Sequence, residues 1–482
     1  MKKTALIIVA AFFASGFVGA AQEFKEPSVT WNNLRAHPAP LPVIGEIQPV
    51  KSDPGKASVW SIGAETMDRD YADFNSFRPY IAQTGAGYAR LQSGWAKTEQ
   101  KKGKYDFAWL DAHVDGLIAE GIRPWMCLCY GNPLYSKSGH DLNAKLFPDG
   151  PVMDAWLRYV KKCVARYKDK VTMWEVWNEP DGRHNLDSYA LYANLFVRTA
   201  QAIREVAPDA KIAAFGSCSP DREYIRQALE IIKERDGVKY MDYITYHAYW
   251  PVPEKIIPSV HKLQADLKTL APGVKLLMGE AGCPGQLEYD HAMHTLEWNE
   301  YSQAKWDLRQ SVIHWGLGIP YSFFTMVDLN YGWMLQSFGL IRMNGRKEAV
   351  YKRPKFYAVQ HVTSIFDGSL QPMEGIGVAC PLNREITSIG VARDGVPVGC
   401  LLWLSGTRPT DTLDRISVDV RFDGLQLKEP VYVDLLTGYI HDLSSQVEHF
   451  SYSVREGEST GIIGLPLWDS PVMVIEKSAL QH

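Results

Sequence analysis

The chain lacks a strong charge of either sign. Its 482 residues contain 51 Lys and Arg against 55 Asp and Glu, which is a formal net charge of −4. No basic field is therefore available to bind nucleic acid or an anionic membrane. After its N-terminal segment the chain also lacks an apolar run near the ~18 residues of a transmembrane helix. We expect neither a nucleic-acid partner nor, for the mature chain, a membrane partner.

Cysteine is sparse, with seven residues, and an odd number leaves at least one thiol free in an exported protein. Cys127 and Cys129 share one face of a predicted strand. Their C-x-C spacing is not a usual zinc or redox pattern, so buried structural thiols are the preferred interpretation. Cys380 and Cys400 are candidates for a disulfide between neighbouring C-terminal strands, which the sequence alone leaves open.

The first 21 residues have the pattern of a secretory signal peptide. Lys2 and Lys3 precede an apolar stretch over residues 5–18, and small residues at 19–21 offer a cleavage site. Polar residues follow at once, so the stretch is too short to span a membrane. The first cysteine is Cys127, which argues against a lipid anchor. We expect an exported protein, periplasmic or extracellular.

From about residue 58, short apolar runs alternate with segments of helical periodicity. Candidate strands begin near Val59, Tyr88, Arg123, Thr172, Ile212, Tyr243, Lys275 and Pro320, at intervals of 29 to 49 residues. Such intervals suit a repeated strand–helix unit. Eight units predict an α/β fold, a (β/α)₈ TIM barrel, over residues 58–365. A doubly wound open sheet is the rival, but no Gly-rich phosphate loop follows the first strand. One face of the segment before the last strand, with Leu308 and Val312, predicts an amphipathic helix.

After about residue 366 the apolar period becomes two. Ile416, Val418, Val420 and Phe422 alternate with polar residues, and turn pairs such as Asp394-Gly395 separate such runs. This pattern predicts a C-terminal antiparallel β-sandwich over residues 366–482. Residues 22–57 are rich in proline and weakly periodic, and either wrap the barrel or donate a strand to the sandwich.

Two glutamates each close a strand that the pattern predicts to be buried. Glu179 lies in Trp-Asn-Glu-Pro at 177–180, after an apolar run, and Glu280 follows a second run at 274–278. About three βα repeats fit between them, so they belong to the fourth and seventh strands. The C-terminal strand ends of a barrel meet at one face, where active sites lie. Two carboxylates in one pocket are the groups that cleave a glycosidic bond.

Residues 174–180, Trp-Glu-Val-Trp-Asn-Glu-Pro, resemble the strand-four motif of glycoside hydrolase clan A, whose catalytic glutamates lie on strands four and seven. Within that clan the chain is most similar to family 39 (β-xylosidases and α-L-iduronidases), with family 5 a near neighbour. The resemblance covers residues 59–366, and the trailing sandwich agrees with the family 39 layout. It implies a retaining enzyme without metal or organic cofactor, with Glu179 as acid/base and Glu280 as nucleophile, acting on a carbohydrate.

Four more residues match positions of the clan. Asn178 matches the residue that hydrogen-bonds the sugar 2-hydroxyl, and Arg90 matches the arginine beside the nucleophile. His247 and Tyr249 match a His-x-Tyr pair, in which the tyrosine donates to the nucleophile and the histidine supports the acid/base. Structural alternatives stand beside these roles: a turn residue for Asn178, an ion pair with Glu175 for Arg90, and a satisfied structural group for His247.

Four aromatic residues follow strands on the predicted active face and are candidates for sugar platforms or, alternatively, for loop core. They are Trp95, Tyr130, Trp250 and Trp333. Strand eight lacks the tryptophan of family 5, for which Phe324 or Trp333 can stand in, and strand three lacks a histidine. Both departures favour family 39 and leave the identity of the sugar open.

Two other functions compete with a glycosidase. A carbohydrate-binding barrel without turnover is disfavoured by the presence of both glutamates, Asn178 and the His-x-Tyr pair. A metalloenzyme barrel predicts histidine ligands at several strand ends, and His247 alone stands at one convincingly. The linkage, endo or exo action and the oligomeric state stay open.

Overall fold

Eight parallel strands close into a barrel in chain order. The computed structural model describes residues 27–65, 67–139, 144–182, 185–221, 223–450 and 459–480, so the predicted signal peptide lies outside it. The barrel strands are Trp60–Gly63, Tyr88–Gln92, Arg123–Leu128, Met173–Val176, Lys211–Ser217, Tyr243–His247, Lys275–Ala281 and Tyr321–Phe323. Each begins within one residue of its predicted start, which confirms the (β/α)₈ prediction.

A helix follows each barrel strand and returns the chain to the opposite end. The main helices are Phe74–Ile81, Ala108–Ala119, Pro151–Tyr167, Tyr189–Val206, Glu223–Glu234, Ile257–Leu270, Glu300–Gly316 and Pro354–Ile365, with a short helix Trp95–Thr98 inserted after the second strand. Because each helix returns the chain to the same end of the barrel, all the C-terminal strand ends lie at one rim, as a parallel closed sheet requires.

Among the helices of the described ranges, none is long and apolar enough to cross a membrane.

The helix Glu300–Gly316 is buried on every side, which the prediction of one apolar face missed. Its charged residues Lys305 and Arg309 are buried too, because the C-terminal sheets cover the face that an ordinary barrel helix shows to water. Lys305 Nζ lies 2.5 Å from a carboxylate oxygen of Asp469, and Arg309 pairs with Glu254. These charge pairs offset part of the cost of burying the two cations.

The C-terminal region forms two antiparallel sheets, which confirms the predicted sandwich. The larger sheet has the order Val43–Glu46, Tyr439–Asp442, Pro430–Asp434, Val472–Glu476, Val396–Leu404, Ile386–Arg393 and Gln371–Met373; the smaller has Gly377–Ala379, Ile416–Asp423, Ser459–Leu467 and Val447–Phe450. The N-terminal extension thus donates its strand to the sandwich, after a helix Val29–Arg35. No disulfide forms among the seven cysteines, so Cys380 and Cys400 both remain thiols.

Candidate active site

Glu179 and Glu280 lie side by side at the rim of the barrel. Glu280 sits within the seventh strand, whereas Glu179 lies in the turn after the fourth, where Trp177 and Glu179 have φ of 73° and 48°. Left-handed backbone at residues other than glycine is uncommon and gathers at functional sites. The Glu179 amide donates to the Gly216 carbonyl at 2.8 Å, which fixes this turn against the fifth strand. One oxygen of each glutamate and one ring nitrogen of His247 all lie within 4.8 Å of one another.

Arg90 is the buried cation beneath both glutamates. Its Nη1 donates to Glu280 Oε2 at 2.9 Å and to Glu65 Oε1 at 3.2 Å, its Nε to Glu175 Oε2 at 3.0 Å, and its Nη2 to Asn178 Oδ1 at 2.8 Å. The two interpretations of Arg90 therefore coexist: it lies beside Glu280 and it forms the wall ion pair with Glu175. Charge-assisted bonds of this kind hold a carboxylate ionised and oriented.

His247 and Tyr249 each contact one of the two glutamates. His247 Nδ1 lies 3.0 Å from Glu179 Oε1 and 3.9 Å from Glu280 Oε2. Burial lowers the pKa of His247, but the charge of Glu280 and the hydrogen bond with Glu179 outweigh it, and the pKa is raised. The Tyr249 hydroxyl donates to Glu280 Oε1. Burial and the Glu280 charge raise the pKa of Tyr249 well above its usual value, so this phenol stays a donor.

A cavity of about 170 Å³ opens over these groups. Its lining residues are Glu65, Gln92, Tyr130, Asn178, Glu179, Tyr249, Glu280, His291, Ala292, Phe324, Tyr331 and Gln336. The Asn178 amide donates to the Tyr130 hydroxyl at 2.7 Å, so Tyr130 meets the site through its hydroxyl. Phe324 lines the cavity in the place where the sequence suggested a substitute for the family 5 tryptophan.

Several lining residues escaped the sequence reasoning. Glu65 follows the first barrel strand, and the rule that found Glu280, an acidic residue closing an apolar strand, would have found it. His291, Tyr331 and Gln336 come from the long connections after strands seven and eight. These connections have no periodic sequence pattern, so the sequence could not indicate that they lie over the cavity.

Of the four aromatic candidates, Tyr130 lines the cavity, whereas Trp95, Trp250 and Trp333 do not. The prediction for Trp95 is wrong: its side chain is 0% exposed, stacks on Tyr159 at 5.8 Å, and donates from Nε1 to Glu99 at 2.7 Å. Trp95 begins the short inserted helix and points inward, so no sugar can reach it. Trp250 is half-buried and lies outside the lining.

Trp333 is 64% exposed at the mouth of the cavity and stacks on His291, with ring centroids 5.6 Å apart and an interplanar angle of 22°. His291 in turn lies beside Tyr331, at 4.5 Å between centroids. Tyr331 and His291 line the cavity, so Trp333 continues an aromatic surface from it outward. This position suits contact with a part of the substrate outside the cavity.

Glu179, His247 and Glu280 are also the side chains of the described ranges that are grouped closely enough to hold a metal ion. A cation bound there would compete at Glu280 with the hydrogen bonds that Arg90 and Tyr249 donate to its two oxygens, and at Glu179 with the contact to His247. One imidazole and two carboxylates are ligand types found at catalytic zinc sites. A metal and a sugar would therefore compete for this site.

Part of the barrel matches a model of a known protein family. Residues 89–273 match the model described as "Glycosyl hydrolases family 39", which spans the second to sixth barrel strands. No curated protein matches the chain.

Solved structures resemble the fold over most of the chain. A family 39 glycoside hydrolase from Bacteroides cellulosilyticus WH2 is 18% identical with a TM-score of 0.63, covering 89% of this chain and 83% of its own. A monomeric β-xylosidase from Caulobacter crescentus CB15 is 16% identical with a TM-score of 0.55, covering 89% and 97%. A family 39 enzyme from Xanthomonas axonopodis pv. citri is 16% identical with a TM-score of 0.54, covering 89% and 95%.

Proposed function

We propose that this chain, a glycosidase of clan A most similar to family 39, cleaves O-glycosidic bonds of an oligo- or polysaccharide with retention of anomeric configuration. The observation that carries the proposal is the distance of at most 4.8 Å between oxygens of Glu179 and Glu280. Retaining enzymes separate their carboxyl groups by ~5–5.5 Å, whereas inverting enzymes leave ~6.5–9.5 Å for a water.

In the first step Glu280 attacks the anomeric carbon while the bond to the leaving oxygen breaks. Glu179, starting protonated, gives its proton to that oxygen. Arg90 and Tyr249 donate to the two carboxylate oxygens of Glu280. These donors fix the direction of the Glu280 carboxyl group, which lowers the entropic cost of reaching the attack geometry.

In the second step the Glu179 carboxylate takes a proton from water, whose oxygen attacks the anomeric carbon as the bond to Glu280 breaks. His247 contacts Glu179 at 3.0 Å, so its ring can stabilise the negative charge that Glu179 gains when it gives up its proton. Asn178 is held from both ends, by Arg90 and by Tyr130. The amide plane of Asn178 is therefore fixed beside Glu179. There it can bind the sugar 2-hydroxyl as positive charge develops on the sugar ring in the transition state.

The groups that line the cavity favour a carbohydrate hydrolase over the two alternatives, a binding protein without turnover and a metalloenzyme. Carboxyl, amide and phenol groups alternate with the aromatic rings of Phe324 and Tyr331, which suits a ring with polar edges and an apolar face. A binding protein without turnover would have no need for a hydrogen-bonded nucleophile. Removing divalent ions with a chelator tests the metalloenzyme alternative, since the present proposal predicts unchanged activity.

Two more parts of the proposal concern substrate and location. The structural likeness to a β-xylosidase from Caulobacter crescentus makes aryl β-xylosides the first substrates to test, followed by a panel of other aryl glycosides. The pattern of residues 1–21 supports export, to the periplasm or beyond the cell. N-terminal sequencing of the secreted protein should find the chain beginning near residue 21 or 22.

The test compares Glu280→Gln and Glu179→Ala with the wild type on aryl glycosides. Glu280→Gln should lose at least about 10³-fold in kcat, because the nucleophile is absent. Glu179→Ala should spare substrates with activated leaving groups more than natural ones, because those need no proton. Glu99→Gln serves as control, since Glu99 is a buried glutamate that bonds Trp95 and does not line the cavity.

NMR of the first-formed product decides the stereochemistry. A retained anomer supports double displacement, and an inverted product refutes it. Wild-type rates in both glutamate variants would refute the assignment of the two residues.

A further inference from the structure

A third carboxyl group, that of Glu65, reaches the cavity and has no part in the two steps above. Glu65 lies two residues past the first barrel strand, on the same rim as Glu179 and Glu280, and is 1% exposed. Its Oε1 accepts from Arg90 Nη1 at 3.2 Å, and the same nitrogen donates to Glu280 Oε2 at 2.9 Å. Glu65 and the proposed nucleophile thus lie on either side of one nitrogen atom.

The three carboxyl groups around Arg90 do not share its charge equally. The Glu175 carboxyl group accepts hydrogen bonds from two guanidinium nitrogens of Arg90 and from the Thr245 hydroxyl. The Glu280 carboxyl group accepts hydrogen bonds from Arg90 Nη1 and from the Tyr249 hydroxyl. The contact of Glu65 with Arg90 is the longest of the set. A single buried cation cannot neutralise three buried carboxylates, so one of them is favoured as the acid.

Glu65 fits that description. Burial raises the pKa of Glu65 from its usual 4.5 to about 8, against the lowering effect of Arg90 and with a further rise from the Glu280 charge. Tyr249 also faces this group, and its own pKa is raised partly by Glu65. At neutral pH Glu65 therefore carries a proton and can donate a hydrogen bond as well as accept one.

We propose that Glu65 is a specificity-determining residue, whose carboxyl group hydrogen-bonds a hydroxyl group of the sugar ring attacked by Glu280. The inference rests on the proposed function, because that ring must lie against Glu280 and hence beside Glu65. A buried acid that loses its hydroxyl partner is left unsatisfied, so sugars without that hydroxyl are rejected. The substrate class is therefore a glycoside whose ring carries a hydroxyl on the Glu65 side.

Gly63 offers a second way to displace this carboxyl group. A Cβ added to Gly63 would lie 2.2 Å from Glu65 Oε2 and 2.9 Å from its Cδ. Since real Cβ atoms do not approach so closely, Gly63→Ala must push the Glu65 side chain aside without changing any charge. A shared defect in Gly63→Ala and Glu65→Ala would then come from the position of the carboxyl group.

The experiment measures kcat and KM of Glu65→Ala, Glu65→Gln and Gly63→Ala on the best aryl glycoside and on its monodeoxy analogues at pH 6. Glu65→Ala and Gly63→Ala should lower kcat/KM at least tenfold on the parent. They should also lose the wild-type discrimination against one particular deoxy sugar. Glu65→Gln, which keeps a donor and an acceptor, should stay within about fivefold of wild type.

The pH profile separates this role from a merely structural one. The profile is measured in the Glu179→Ala background on aryl glycosides with activated leaving groups, so that loss of the Glu179 proton cannot set the alkaline limb. There kcat/KM should fall as the pH rises through about 8, because Glu65 then loses its donor and gains a charge beside Glu280. Adding Glu65→Gln to that background should keep the activity to higher pH. Asp307→Asn is the matched control: burial raises the pKa of Asp307 to about 7, but this acid pairs with Lys355 and does not line the cavity, so the alkaline limb should stay.

The inference is overturned if Glu65→Ala keeps kcat/KM within twofold and rejects every deoxy sugar as the wild type does. Should Glu65→Ala not fold, Gly63→Ala and Glu65→Gln carry the same test. A wild type that hydrolyses no glycoside defeats the proposed function itself. An active wild type, an inactive Glu280→Gln and an unaffected Glu65→Ala defeat this inference alone.

Discussion

Replacing Arg90 by methionine should strongly destabilise the barrel. Arg90 is 0% exposed and contacts Glu65, Glu175 and Glu280, of which Glu175 is also 0% exposed. Methionine fills similar volume but leaves these carboxyl groups without their cation. Removing one partner of a buried ion pair costs about 3–5 kcal/mol. For a barrel of about 300 residues we expect the apparent Tm to fall by roughly 5–8 °C.

The dependence on pH gives the prediction its sharper form. At pH 8 the stranded carboxyl groups must either remain ionised in an apolar interior or take up protons from dilute solution, and both cost free energy. At pH 5 protons are available and the cation matters less. The destabilisation by Arg90→Met should therefore be larger at pH 8 than at pH 5, as measured by thermal unfolding in a pH series.

A surface pair provides the control. Arg166 contacts Asp111 with side chains 48% and 27% exposed, and exposed pairs contribute at most about 1 kcal/mol. Arg166→Met should therefore change the Tm by little at either pH. The double variant Arg90→Met/Glu175→Gln should recover part of the loss, because one stranded charge is gone. A loss below about 1 kcal/mol for Arg90→Met, or one equal at both pH values, would refute the reasoning.

Three further predictions depend on how far the side chains of Glu65, Trp95 and Trp333 are buried or exposed. The folded-state pKa of Glu65, about 8, lies above its usual 4.5, so Glu65 destabilises the fold progressively as the pH rises from 4.5 through 8, by at most about 5 kcal/mol. Thermal melts should show Glu65→Gln more stable than wild type at pH 9 and similar at pH 5; equal melts at pH 9 would contradict this. Trp95→Ala should lose about 3–5 kcal/mol without changing KM. Trp333→Ala, at an exposed position, should leave the Tm almost unchanged and raise KM for substrates with extended leaving groups; the reverse pattern would restore Trp95 as a platform.

The barrel was predictable because its signals are local. Each strand is a short apolar run and each helix a periodic segment, so the strand starts could be placed to within one residue. Closure into a barrel follows from eight such units, and the common direction of parallel strands places Glu179 and Glu280 at one rim. The pairing of Arg90 with both Glu175 and Glu280 could be expected for the same reason.

Other features depend on contacts between segments distant in the chain. The helix Glu300–Gly316 is buried throughout because the sandwich covers its outer face, and Trp95 is buried because an inserted helix turns it inward. The loops that bring His291 and Tyr331 over the cavity have no periodicity to indicate their path.

The amino-acid sequence by itself determined the architecture and the identity of the two central glutamates, since these depend on periodicity and strand order. Only the tertiary structure decided how charge is distributed among the neighbours of those glutamates. The protonation of Glu65 depends on how deeply it is buried and on how Arg90 divides its hydrogen bonds among three carboxyl groups. Both are properties of packing in three dimensions, because desolvation and Coulomb energy depend on distances through space.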